Sequence, residues 1–459
     1  MNKLLKEKLI AYFLVLIGVL VYGSLIFNHN VWLDEAFTAS LIRTDFAGVL
    51  MRSMQDTLPP LYNILLKLAT DLFGYSVPIM KVVSVIPMIL TMLLGATTVR
   101  KRFGNIASYL FIICLFTMPY LLFYGVEIRM YSWGFFFATG SGIYAYEVIK
   151  DSNRKNWICF TLLSVGAGYT HHFAFVTVGF IYLFLLIYYL IFDRIHLKRW
   201  LICLSATFIL YLPCLIITLQ QLKRVSGYFS MPEVTLSVFI KYLRYPYTIG
   251  NPLLSIALAL LMLLLLLRFA MNKNRQLLDW YSVCCFATYY GVLCFGTIIS
   301  KIMTANIFVD RYLFFAFGLI WLFFAISVSS FHKNYLITVF AFLIIAGVVG
   351  YTKEWKLEYA EGLSTMQTFM DANFESRDKI VSYEEAAQIA TCLEFYYPDI
   401  CVCSAEELDQ TPGNNWCIIT EGYEANLNEL ERLGYSAEFQ GDFRFDRYTF
   451  KLYLLTKTE

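Results

Sequence analysis

Residues 9–27 read L-I-A-Y-F-L-V-L-I-G-V-L-V-Y-G-S-L-I-F, an uncharged stretch preceded by Lys3, Lys6 and Lys8. A run of that length crosses the hydrocarbon of a bilayer as a helix, and the lysines hold the N-terminus on the cytoplasmic side. It has no small-residue cleavage site and many similar runs follow it, so it reads as a retained helix, not a signal peptide.

Directly after it comes Asn30-Val31-Trp32-Leu33-Asp34-Glu35-Ala36-Phe37. Two adjacent carboxylates emerging on the far side of the membrane need a partner, because a charge at an apolar boundary is costly. The structural alternative is that Asp34 caps a short helix over residues 35–43, with both charges favoured by the helix dipole. Capping alone leaves the flanking Trp32 and Phe37 without a reason.

The composition agrees with a polytopic membrane protein. The chain has 459 residues, 59% hydrophobic, 18% aromatic and 15% charged, with a mean hydropathy of +0.60. Soluble domains do not reach these values. Further apolar runs of spanning length lie near residues 77–99, 106–123, 131–149, 157–170, 173–192, 200–219, 252–269, 280–300, 312–330 and 335–351, about eleven spans with the first. The loops this count places inside carry Arg100-Lys101-Arg102, Lys150 with Arg154 and Lys155, Arg194 with Lys198 and Arg199, Lys273 with Arg275, and Lys333. That is the positive-inside pattern, and it delivers the segment after residue 351 to the outside.

The expected organisation is an α-helical transmembrane domain over residues 1–351, with a long first outer loop at 28–76, and a small extracytoplasmic α/β domain at 352–459. The break is one of charge: residues 352–459 carry a net −12, the remainder +14. Short β-type runs at 379–382, 400–403, 416–420 and 448–455 alternate there with helical stretches at 383–396 and 424–433. Of eleven cysteines, seven sit in or beside apolar runs as small hydrophobes. Cys392, Cys401, Cys403 and Cys417 lie outside, where disulfides are permitted but their pairing stays open. Zinc ligation by these four lacks a C-x-x-C knuckle.

The first outer loop is too long for a plain connector. Residues 35–50 and 61–73 have the apolar spacing of short interfacial helices, broken apart by Pro59-Pro60. Trp32, Tyr62 and Tyr75 taken singly are ordinary interfacial anchors. Other polar residues gather on the same side: Glu127, Arg129 and Tyr131 after the third span, His171 and His172 after the fifth, Lys223 and Arg224 after the seventh, and Lys301, Asp310 and Arg311 before the tenth. Each has a structural alternative. Glu127 and Arg129 can pair with each other, and Lys223, Arg224 and Arg244 can be solvated. Adjacent histidines point to different helix faces, which argues against joint metal ligation. Arg311 begins an apolar helix, where a lone cation needs an anionic partner, and a phosphate suits its fork.

These motifs together resemble the GT-C class of polytopic glycosyltransferases, specifically the protein-mannosyltransferase and aminoarabinose-transferase-like group that uses polyprenyl-phosphate sugars. The matching residues are W-x-D-E-A (Trp32 to Ala36), L-P-P-L-Y-x-x-L-L-K (Leu58 to Lys67), E-x-R-M-Y (Glu127 to Tyr131), Y-T-H-H-F (Tyr169 to Phe173) and D-R-Y (Asp310 to Tyr312). Leu58 departs from the family, whose members often have His there.

The resemblance implies a GT-C-like fold in the cell membrane and sugar transfer from a polyprenyl-phosphate donor to an extracytoplasmic lipid, glycan or protein, by inverting displacement. It implies Asp34 as general base, with Glu35 positioning it or binding acceptor. The departing phosphate needs cations and donors, for which Arg129, Arg311, His171 and His172 are the candidates. Glu127, Tyr131, Tyr62 and Lys301 are the expected substrate contacts. A divalent ion (Mg or Mn) on Asp34 and Glu127 would supply part of the positive charge, and the sequence leaves metal dependence open. The rival is a polytopic transporter or lipid-linked-glycan flippase, which places its ionisable groups at mid-membrane in broken helices, often in repeats. Here the spans are clean at their centres and no duplicated halves are visible.

Overall fold

The structure, a computed structural model, describes residues 3–228, 233–303, 306–375, 377–410 and 414–458. It divides into two compact units. Met1–Ile26, Thr44–Gly74 and Lys81–Glu354 form the first, and Phe27–Arg43, Tyr75–Met80 and Trp355–Glu459 the second. The segment expected as one outer loop at 28–76 is therefore shared between them.

All eleven apolar runs fall on helices, among them Lys3–Ser24, Tyr131–Lys150, Arg154–Thr170, His172–Ile191, Leu277–Ile302 and Phe317–Ser329. By length and hydropathy alone, seven described helices qualify as membrane spans, or eight if the bent pair Asn105–Thr117 and Tyr120–Val126 is one span. The lower count has a physical reason in two of the helices. Tyr131–Lys150 and Arg154–Thr170 bury Ser132, Thr139, Ser141, Thr161, Ser164 and Thr170. Small polar residues let helices approach inside a bundle, and they lower the hydropathy of Tyr131–Lys150, while Arg154–Thr170, at 17 residues, is also short for a span.

In the first unit the Asp310–Ser329 stretch is central, 83% of its apolar window being buried, whereas the Pro252–Met271 helix is peripheral at 17%. The central helix packs closely on Tyr131–Lys150 through two glycines. A Cβ on Gly318 would stand 1.9 Å from Thr139 Oγ1, and one on Gly134 would stand 2.5 Å from Phe315 Cε1. That contact brings the start of the Tyr131 helix beside residues 310–316. At the basic loop, Arg102 Nη2 donates to Glu147 Oε2 at 2.7 Å, so the carboxylate buried in this helix is paired.

The second unit holds a five-stranded sheet: β1 (Lys379–Ser382), β2 (Cys401–Cys403), β3 (Asn415–Ile419), β4 (Tyr435–Phe445) and β5 (Tyr448–Lys457), in the order β2-β1-β3-β5-β4. β1 pairs parallel with β2 and β3, and β5 pairs antiparallel with β3 and β4. Four of these strands were expected, and β4 is new. Val381, Cys403, Cys417, Ile419, Leu430 and Leu455 build its core. Asp378 accepts from Trp416 Nε1 at 2.9 Å and from Asn414 N–H at 3.0 Å, fixing the entry to β3. All eleven cysteines are free thiols, Cys392, Cys401, Cys403 and Cys417 included.

One local expectation changes. The helix expected over residues 35–50 is two, Leu33–Leu41 and Phe46–Gln55, because Asp45 Oδ1 accepts Gly48 N–H at 2.8 Å and caps a new start. Leu61–Phe73 follows Pro60 as expected.

Candidate functional site

In the second unit, Asp34 is not a helix cap. The helix begins at Leu33 with Trp32 as N-cap, which leaves Asp34 in the first turn and partly exposed. Glu35 does the capping work: its Oε2 accepts Trp32 N–H at 3.3 Å, and the residue is buried. The indole of Trp32 has no acceptor, so of the two halves of a capping box it is the bond from Trp32 N–H back to Glu35 that is chemically possible here. Asp34 and Glu35 thus separate into a carboxylate near solvent and one that supports the turn carrying it. Thr38 Oγ1 donates to Asp34 C=O at 2.8 Å and tightens the same turn.

In the first unit, several of the expected residues converge. The Tyr131 hydroxyl lies in the fields of Arg311, Arg129, Glu127 and Tyr312. The His171 ring centroid is 4.7 Å from that of Tyr312, 4.5 Å from Phe315 and 6.5 Å from Tyr131. Glu127 is buried and Arg129 half-buried, and Arg129 N–H donates to Glu127 C=O at 2.6 Å in the turn before the Tyr131 helix.

His171 lies between the Arg154–Thr170 and His172–Ile191 helices and caps the second of them, its Nδ1 accepting Phe173 N–H at 3.0 Å. Burial, followed by the charges of His172, Arg129 and Arg311, pushes its pKa well below the usual histidine range. The ring is therefore neutral. With Nδ1 accepting, the proton sits on Nε2, and that buried N–H has no partner among the described residues. A donor poised beside two guanidinium groups suits an anion with several acceptor oxygens.

His172 is employed otherwise. Its Nε2 is 3.1 Å from Gln221 Oε1, while Gln221 Nε2 donates to Leu58 C=O at 2.8 Å and Ser53 C=O at 3.1 Å. It ties its helix to the Leu58-Pro59-Pro60 turn. Tyr62 is buried with its hydroxyl 2.8 Å from Ser84 Oγ, and Lys301 is exposed in the last turn of Leu277–Ile302. Neither is brought to His171 by any of these contacts. Arg224 has a side chain outside the described residues.

Three features were missed from sequence. Asp310 accepts Arg311 N–H at 2.9 Å and is 3.3 Å from Lys241 Nζ, a lysine indistinguishable in sequence from a loop charge. An aromatic wall joins Tyr124 and Tyr245, hydroxyls 3.0 Å apart, with Tyr120 over Tyr245 at 4.2 Å and Tyr131 at 5.0 Å from Tyr124. Lys81 is fully buried, which a lysine tolerates only beside compensating groups. Its position inside the apolar run at 77–99 was the available signal.

Among the described residues no group of three or more His, Cys, Asp or Glu is arranged to hold a metal ion. Asp34 and Glu127, the expected ligands, belong to different units.

Residues 57–218 match the family described as dolichyl-phosphate-mannose-protein mannosyltransferase. No curated protein matches the chain by sequence. Among solved structures, ArnT from Cupriavidus metallidurans superposes in its apo state with a TM-score of 0.63 at 11% identity, over 96% of this chain and 97% of that one. The same enzyme bound to undecaprenyl phosphate gives a TM-score of 0.63 at 12% identity, again over 96% and 97%. The oligosaccharyltransferase of Archaeoglobus fulgidus gives 0.48 at 13% identity, over 94% of this chain and 72% of that one. The chain is thus a multi-pass membrane protein with an ArnT-like fold over nearly its whole length, and the partial family match agrees with the resemblance read from the motifs.

Proposed function

We propose that this protein transfers a sugar from a polyprenyl-phosphate donor to a hydroxyl of an extracytoplasmic lipid, glycan or protein, at the outer face of the cell membrane. The observation that carries this is His171: a neutral imidazole with a buried Nε2–H beside Arg129 and Arg311, suited to the phosphate of such a donor. The match of residues 57–218 to a dolichyl-phosphate-mannose enzyme family, and the likeness to an enzyme solved with undecaprenyl phosphate, support the donor class.

In this scheme the acceptor oxygen attacks the anomeric carbon as the bond from that carbon to the phosphate oxygen breaks, with inversion. The electron pair leaves with the polyprenyl phosphate. Asp34 takes the acceptor proton, the role of a general base. Arg129, Arg311 and the Nε2–H of His171 meet the charge growing on the phosphate, and each such contact is worth about 3 kcal/mol by comparison with oxyanion donors. Glu127 and Tyr131 face the sugar, and the rings of Tyr120, Tyr124 and Tyr245 offer it apolar faces. Glu35 maintains the turn that carries Asp34. Positive-inside charge puts the N-terminus in the cytoplasm and residues 352–459 outside. Hexose and pentose donors are both compatible with these roles.

The test is transfer by purified protein in lipid, using radiolabelled polyprenyl-phosphate hexose and pentose donors with membrane extract as acceptor. Labelled product is expected. Donor moved across the bilayer without product would favour the flippase alternative.

A further inference from the structure

We propose that the C-terminal α/β domain acts as a positioning clamp on the Trp32–Ala36 segment, with Tyr396, Arg447 and Tyr448 as positioning residues. This rests on the reading of Asp34 as the base. Every contact involved lies within the second unit, where Phe27–Arg43 packs with Trp355–Glu459.

A helix start leaves backbone N–H groups without intrahelical partners. Here three in a row are satisfied, two of them by the domain. Val31 N–H donates to the Tyr396 hydroxyl at 3.0 Å and Leu33 N–H to the Tyr448 hydroxyl at 3.2 Å, while Trp32 N–H goes to Glu35. Each phenol also donates onward, Tyr396 to His29 C=O at 2.9 Å and Tyr448 to Gln388 Oε1 at 3.3 Å. A hydroxyl that accepts and donates at once must stay protonated. Burial ensures this, raising the Tyr396 pKa well above its ordinary value and pushing that of Tyr448 up to about 12.

The β4–β5 turn grips the same segment. Asp446, at φ +46°, donates its N–H to Asn30 Oδ1 at 3.2 Å, and Asn30 Nδ2 donates to the C=O groups of Glu358 and Ala360, both at 3.1 Å. Arg447 lies over the Trp32 indole with its guanidinium carbon 4.5 Å from the ring centroid, and its Nε donates to Asp446 Oδ2 at 2.8 Å. One hairpin tip thus touches Asn30 and Trp32 while the next residue, Tyr448, holds Leu33. Asp34 is bonded through its backbone to that clamped stretch, so a shift of the tip is a shift of the carboxylate. Misplacement by about 1 Å is enough to cost some hundredfold in rate.

The experiment compares the full-length wild type with Tyr448→Phe, Arg447→Ala and Arg447→Lys, combining amide hydrogen exchange over residues 28–41 with kinetics on the labelled donors above. The clamp predicts faster exchange of this peptide in Tyr448→Phe and Arg447→Ala, and kcat lowered about tenfold or more with KM for donor unchanged. Arg447→Lys, which keeps a cation over the ring, restores most of kcat. Unchanged exchange, or unchanged kcat in an active wild type, overturns the clamp alone. Equal loss of kcat in Arg447→Lys and Arg447→Ala overturns the role of the cation. A wild type that transfers nothing overturns the proposed function and the clamp's catalytic meaning with it, whatever the exchange shows.

Discussion

The imidazole of His171 faces the ring of Tyr312 at 4.7 Å and 55°, with its Nδ1 already occupied by Phe173 N–H. That relationship leaves Nε2 as the one ring atom able to serve a ligand. It also joins the helix start at residue 172 to the D-R-Y motif, so two motifs far apart in the chain become one surface.

His171→Ala removes that donor. Binding of a fluorescent polyprenyl phosphate to the solubilised protein is expected to weaken roughly ten- to hundredfold, the worth of a hydrogen bond to a charged group. Unaltered affinity would take His171 out of the phosphate site.

The same residue predicts a pH dependence of stability. Its folded pKa is lowered, so the unfolded chain takes up a proton near pH 6.5 that the folded protein refuses. Stability is complete above that pH and falls as pH drops below it, by up to about 1.4 kcal/mol per pH unit. Thermal unfolding between pH 7 and pH 5 should show a steeper loss in wild type than in His171→Gln. Parallel curves would mean that His171 is protonated in the folded state.

Arg311→Ala and Lys241→Ala should separate. Arg311 is proposed to meet the donor phosphate, so its loss is expected to weaken donor binding. Lys241 is 60% exposed, and its pair with Asp310 is a screened surface contact worth at most about 1 kcal/mol. Its removal should leave the unfolding midpoint nearly unchanged. A large destabilisation by Lys241→Ala would show that the pair is shielded from water.

Gly134→Ala sets a methyl against the Phe315 ring, whose centroid lies 4.5 Å from that of His171. A loss of about 1–3 kcal/mol is expected, read as a lower unfolding midpoint in detergent. An unchanged midpoint would indicate that the ring has room to turn away.

The apolar helices are legible in the sequence because lipid demands some twenty uncharged residues, whatever they later pack against. β1, β2, β3 and β5 are legible as short β-type runs. β4 is not, because Ser436, Glu438, Gln440, Asp442 and Arg444 give this edge strand the look of a polar loop. In the site, Glu127, Arg129, His171 and Arg311 stand out as charges or imidazoles beside apolar runs. Lys241, Gln221, Tyr124 and Tyr245 do not, since each is an ordinary residue until tertiary folding gives it a partner. The division of labour between Asp34 and Glu35 was also hidden. It depends on the helix starting at Leu33, two residues before the start that periodicity suggests.

Asp34 is the residue on which the proposed chemistry turns, and Asp34→Asn keeps its size while removing its basicity. The decisive measurement is the rate of sugar transfer from a labelled polyprenyl-phosphate donor by this variant, shown to be folded and membrane-inserted, against wild type. A fall of about 10²- to 10⁴-fold with donor binding retained is predicted for loss of a general base. Transfer at the wild-type rate would contradict the account.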